Sequence, residues 1–126
     1  MSKPFYVRFP VPKELADAAY EVLSVVRSSG KLRRGTNEVT KAVDRGVAKL
    51  VVIAEDVEPP EIVAHLPLLC EERKVTYVYV PSKKQLGVST GIEVQTSAAC
   101  VVETGDAVDL VNEITGRINV LRKQKA

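Results

Sequence analysis

The 126-residue chain is 45% hydrophobic and 27% charged, the composition of one globular domain with no room for a second, which excludes fibrous and disordered classes. Its longest aliphatic run, Leu50-Val51-Val52-Ile53-Ala54, is far below the ~20 residues that span a bilayer, and the prolines and arginine near the N-terminus are unlike a secretory signal, so a soluble cytoplasmic protein without a membrane partner is expected. A formal net charge of +2 says little by itself about partners.

Between Lys13 and Gly30 the apolar positions Leu15, Ala18, Ala19, Val22, Val25 and Val26 recur at helical spacing, with Gly30 placed as the C-terminal cap. After the short Lys31–Arg34 stretch, Thr36 is expected to cap a second helix reaching about Gly46. Lys49–Ala54 has no polar alternation and predicts a strand buried on both faces. Glu55–Pro60 reads as a loop and Glu61–Arg73 as a helix kinked or divided at Pro67. Val75–Val80 predicts a second strand, and Ser82-Lys83-Lys84-Gln85 a capping box opening a short helix that ends near Gly87. A loop over Val88–Thr96 leads to a third buried strand, Ala98–Val102. Asp106 is expected to cap a last helix with the stripe Val108, Val111, Ile114, Ile118 and Leu121, and the basic residues Arg122-Lys123-Gln124-Lys125 to form its frayed end.

Helices alternating with short buried strands predict an α/β fold, a three-layer α/β/α sandwich around a small mixed, mostly parallel sheet, forming a single domain over residues 1–126. Cys70 and Cys100 lie among apolar residues and read as reduced core thiols.

Charge is unevenly distributed. Lys31–Arg45 contains five bases and two acids, whereas the rest of the chain holds 13 bases and 14 acids. All the positive excess therefore sits in one segment, the footprint of a localised anion site. On a helix turning ~100° per residue, Asn37, Glu38, Lys41 and Arg45 share one sector while Val39, Val43 and Gly46 face away. The stripe starts at a helix N-terminus just after Gly35, where free N–H groups attract phosphate. It is also compatible with an ordinary solvated face. Glu38 is the informative member, because a carboxylate beside phosphates makes sense where it accepts hydrogen bonds from base amino or imino groups. The stripe alone points to RNA or another polyanion.

Enzymatic readings find less support. No phosphate-binding glycine motif is present, and the lone His65, in Ile62-Val63-Ala64-His65-Leu66, reads as a core-edge residue. The acidic residues Glu55, Asp56, Glu58 and Glu61 suggest a Mg²⁺-dependent or phosphoryl-accepting alternative, but read more readily as a polar loop with helix-capping acids before Glu61. A module that binds only other proteins is a third possibility.

Three motifs, Gly35-Thr36-Asn37-Glu38 with Lys41 and Arg45, Leu66-Pro67-Leu68-Leu69-Cys70-Glu71, and Pro81-Ser82-Lys83-Lys84-Gln85-Leu86-Gly87, together resemble the L-seven-Ae family of kink-turn RNA-binding ribosomal proteins, most closely its archaeal large-subunit members. The resemblance spans roughly Pro12 to Leu121. It implies a non-catalytic protein, with no cofactor or metal, that binds and stabilises the kink-turn, a sharply bent internal loop built on tandem sheared G·A pairs. The implied partners are ribosomal RNA, box C/D and box H/ACA guide RNAs and ribonuclease P RNA, together with the proteins that assemble on them, in ribosome biogenesis and tRNA processing. A monomer is expected when free.

Carried over by motif, Asn37, Glu38 and Lys41 would read the G·A pairs, with Gly35 allowing close backbone approach, Thr36 beside it in the RNA-binding site, and Arg45 holding the RNA backbone. Glu58 and Ile62 match positions around a flipped-out nucleotide, and Lys83 a further backbone contact. Ile92-Glu93-Val94 matches an apolar wedge against bulged bases, in a form that also tolerates kink-loops.

Overall fold

The aliphatic run without polar alternation is the central strand. In the computed structural model, which describes residues 3–125, Leu50–Ala54 forms β2 and is buried at every position. Around it the elements follow in the order α1 (Lys13–Ser29), β1 (Lys31–Arg34), α2 (Thr36–Asp44), β2, α3 (His65–Arg73), β3 (Tyr77–Val80), α4 (Lys83–Ser89), β4 (Ala98–Glu103) and α5 (Val108–Lys125). One sheet carries the strand order β1-β4-β2-β3. Helix α1 packs with α4 and α5, and α2 packs with α3 and against β4, giving the expected three layers. The apolar side chains between them, from Leu15 and Val22 to Ile114 and Ile118, form one core.

The mixed sheet departs from the expected parallel majority. β2 and β3 pair in parallel, but β4 runs antiparallel to both β2 and β1. Three strands therefore share a direction, yet β4 inserts between two of them, so one ladder of the three is parallel. β1 is the strand that sequence periodicity does not announce. It is a basic edge strand with Lys31, Arg33 and Arg34 exposed, created by its pairing with β4. Cationic side chains along a free edge also discourage pairing with another chain.

Several ends differ from expectation. The N-cap of α2 is Gly35, not Thr36, whose hydroxyl instead lies 2.7 Å from Ser97 Oγ. Gly46 lies beyond the helix and is exposed. Residues 61–73 divide into a 3-10 turn at Pro60–Ile62 and α3, whose first turn holds Pro67, where a missing N–H costs no intrahelical bond. Ser82 Oγ accepts the Gln85 N–H at 3.0 Å, but the other half of the capping box is replaced: the Ser82 N–H donates to Tyr20 Oη at 3.1 Å. Asp106 lies inside a 3-10 turn, Gly105–Ala107, with its N–H on Ser29 Oγ, and does not cap α5. Val108 is exposed, while Val111, Ile114 and Ile118 are buried as expected. The basic residues from Arg122 to Lys125 form the end of α5, the place expected for them.

The N-terminal segment, silent in the sequence, lies against β3. Tyr6 Oη donates to the Ala54 carbonyl at 2.7 Å, and Tyr79 Oη donates to the Tyr6 carbonyl and accepts the Arg8 N–H. Phe9 packs between Tyr77 and Tyr79, with ring centroids 5.5 and 5.2 Å away.

Candidate functional site

Gly35 has φ 88° and ψ 151°, backbone that a residue with a Cβ rarely adopts. Its N–H donates to the Ala98 carbonyl at 2.8 Å and its carbonyl accepts the Val39 N–H at 3.0 Å. The first bond fixes the start of α2 to the start of β4, and the second opens the helix's own ladder. No side chain caps the helix, so its first-turn N–H groups face outward as an anion-attracting end.

Along α2, Val39, Ala42 and Val43 are buried, while Asn37, Glu38, Lys41 and Arg45 are exposed. Lys41 Nζ lies 3.3 Å from Glu38 Oε2, a solvated i,i+3 pair that RNA can displace at little cost. The predicted stripe is thus present as a surface, with both signs of charge close together.

Beside the N-terminus of α2 lies an open hollow of about 500 Å³. Arg34, Gly35, Thr36, Asn37 and Glu38 form one wall, and Glu61, Ile62 and His65 the other. Ile62, expected from sequence, is here and 42% exposed. Glu58 is exposed on the loop before the 3-10 turn and does not line the hollow; Glu61 does. His65 is exposed, not a core-edge residue, with Nε2 2.8 Å from Thr40 Oγ1. Arg34, Glu61 and His65 were missed by motif reading. Arg34 could have been suspected from the basic segment, but the other two come near α2 only through the packing of α3 on it.

The loop after α4 reaches the same end of the sheet, because Thr36 and Gly35 bind Ser97 and Ala98 at its end. The loop is held from several sides. The Ile92 N–H donates to the Gly87 carbonyl at 3.1 Å, the Thr96 N–H to the Lys83 carbonyl at 3.1 Å, and the Arg34 guanidinium to the Thr90 carbonyl. Val94 is 67% exposed, Glu93 is exposed, and Ile92 is half-buried, so the expected apolar wedge presents one fully available aliphatic side chain. Lys83 is half-buried at the first position of α4, where its N–H donates to Asp56 Oδ1 at 2.8 Å.

That last bond gives Asp56 a structural task as the acceptor for the start of α4. Glu55 is likewise engaged, by Lys3 Nζ at 2.8 Å. Among the described residues no group of three His, Cys, Asp or Glu side chains is arranged to hold a metal ion, and no helix is long and apolar enough to cross a membrane.

Comparison with known proteins adds two findings. The sequence pattern of the ribosomal protein L7Ae/L30e/S12e/Gadd45 family matches residues 17–111. Among solved structures, a Giardia lamblia 15.5kD RNA binding protein is similar, with 38% sequence identity, a TM-score of 0.86, and coverage of 95% of this chain and 99% of that one.

Proposed function

The chain belongs to the ribosomal protein L7Ae/L30e/S12e/Gadd45 family, and from that premise we propose that it binds RNA and recognises the kink-turn through the N-terminal half of α2 and the loop at Ile92-Glu93-Val94. Family membership and the RNA-binding neighbour point to a non-enzymatic protein. The observation that carries the reading is the outward face of α2. Asn37 can donate and accept at a base edge, Glu38 accepts from amino and imino groups, and Lys41 and Arg45 neutralise phosphate. A surface meant only for nonspecific phosphate binding has no use for Glu38 at its centre.

On this reading Gly35 and Thr36 bring the backbone close to the G·A pairs, Ile62 and Glu58 flank an extruded nucleotide, Lys83 holds the RNA backbone, and Val94 with Ile92 packs on bulged bases. The RNAs proposed are those of an archaeal large-subunit member: ribosomal RNA, box C/D and box H/ACA guide RNAs, and ribonuclease P RNA. The bent RNA so stabilised would nucleate assembly of further proteins. Few aromatic side chains are present, four Tyr and two Phe, and Tyr6, Tyr77, Tyr79 and Phe9 are in the core, which favours shape and edge reading over a stacking platform.

A gel-shift titration against a kink-turn duplex and a matched straight duplex tests this. Preference for the kink-turn is expected; equal affinity for the two would overturn it.

A further inference from the structure

The Thr40 hydroxyl oxygen lies 2.8 Å from the Thr36 carbonyl oxygen and 2.8 Å from His65 Nε2. A hydroxyl has one proton to give. Two oxygens this close repel unless a proton lies between them, so the proton points to the Thr36 carbonyl. Thr40 can then only accept from His65, and Nε2 must carry a proton. In the neutral imidazole this leaves Nδ1 as a bare lone-pair acceptor.

Three of the polar side chains around the hollow are already engaged. Arg34 donates to the Thr90 carbonyl, Thr36 is paired with Ser97, and Glu38 with Lys41. Asn37, Glu61 and His65 Nδ1 have no hydrogen-bond partner among the described residues, and all three residues line the hollow. Two of these groups, the Glu61 carboxylate and Nδ1, lie on the wall formed by the 3-10 turn and the start of α3, and are acceptors. That wall therefore suits a ligand surface rich in hydrogen-bond donors. Phosphate offers none, but RNA carries 2′-hydroxyls and base amino and imino groups.

We propose that His65 is a further recognition residue of the RNA site, its Nδ1 accepting a hydrogen bond from a 2′-hydroxyl or a base amino or imino group, with Thr40 fixing the ring and its tautomer. The inference rests on the kink-turn reading and extends it from α2 to the opposite wall of the hollow.

The test uses the full chain with kink-turn and straight duplexes, comparing wild type with His65→Gln and His65→Asn. A glutamine amide nitrogen reaches the Nε2 position and keeps Thr40 bonded, but leaves nothing at Nδ1. This variant is expected to melt as wild type and to bind the kink-turn about fivefold more weakly, the effect of one lost hydrogen bond. Asparagine places its carboxamide at the Nδ1 position without reaching Thr40. It is expected to melt earlier yet bind more tightly than His65→Gln. Kink-turns with single 2′-deoxy positions, and others with inosine for guanosine, then distinguish sugar from base as the donor: the decisive substitution weakens wild type and leaves His65→Gln unaffected.

Wild-type affinity in His65→Gln, with the kink-turn preference intact, overturns the inference and leaves the RNA reading standing. A wild type without that preference overturns both. If His65→Gln melts early, His65→Asn decides: affinity near wild type supports the acceptor at Nδ1, and a loss equal to that of His65→Ala overturns it.

Discussion

Asn37 and Glu38 owe their position to Gly35, whose left-handed backbone turns the chain out of β1 and points the first turn of α2 at the hollow. Neither side chain touches the core, and Glu38 is held only by the solvated Lys41. Truncation is therefore expected to affect binding without affecting folding. Asn37→Ala or Glu38→Ala is expected to weaken kink-turn binding by about 1–3 kcal/mol, the worth of a paired base contact, with melting unchanged. Affinity measured by titration on both duplexes, beside thermal melts, checks this. If both variants bind as wild type, α2 is outside the interface. Gly35→Ala differs in kind: nothing lies within 4 Å of an added Cβ, so its cost would come from φ +88° alone and would appear in the melt as well.

At the scale of elements, the loop that carries Val94 is packed onto α4 so closely that a Cβ on Gly87 would sit 2.1 Å from the Val94 carbonyl oxygen. Backbone cannot yield there without moving the loop. Gly87→Ala is expected to lower stability by about 2–4 kcal/mol and to weaken binding of bent RNA as well. Val94→Ser, at an exposed position, is expected to leave the melt alone and reduce RNA bending, read by end-to-end fluorescence transfer. Equal loss of stability in the two variants would show that the loop is only a structural connection. The same scale explains what was legible in the sequence. The α1 stripe announces itself because its burial follows the helical period, and the β2 run because every residue in it is aliphatic and buried. β1 does not, since three of its four residues are exposed cations and its pairing with β4 joins distant segments. The stripe on α2 was legible for the same reason as α1. The opposite wall, Glu61, Ile62 and His65, straddles a 3-10 turn and a helix start, and only tertiary packing makes it face α2.

The whole molecule concentrates its positive excess in the segment that forms β1 and α2, while the remaining chain is close to neutral. If Lys41, Arg45 and Lys83 each meet a phosphate, replacing any one by Ala is expected to flatten the slope of log K against log salt by about one unit. A slope equal to wild type would mark that residue as merely solvated. A second global property comes from the far end of the fold, where buried protons hold the N-terminal segment, β3 and α3 together. Desolvation by burial raises the Tyr77 and Tyr79 hydroxyls above 10.0, aided at Tyr77 by its hydrogen bond to Glu71. Burial likewise pushes the Cys70 thiol up to about 12 and the Cys100 thiol up to about 11, from 9.0. In every case the folded state holds the proton more tightly than the unfolded chain does. The unfolded chain therefore loses its protons first, and stability is drained as pH rises. The contribution is complete below about pH 8, where the unfolded thiols and phenols stay protonated, and falls progressively from there toward the raised folded values. The urea midpoint followed by circular dichroism is accordingly expected to be lower at pH 10.5 than at pH 8. Tyrosinate absorbance near 295 nm from the buried ring cluster is expected to appear only together with the loss of helix signal. Ionisation of all four tyrosines while the helix signal stays native would mean that the cluster around Tyr77 and Tyr79 admits water in the folded protein, and that its hydrogen bonds do not tie the N-terminal segment to β3 in solution.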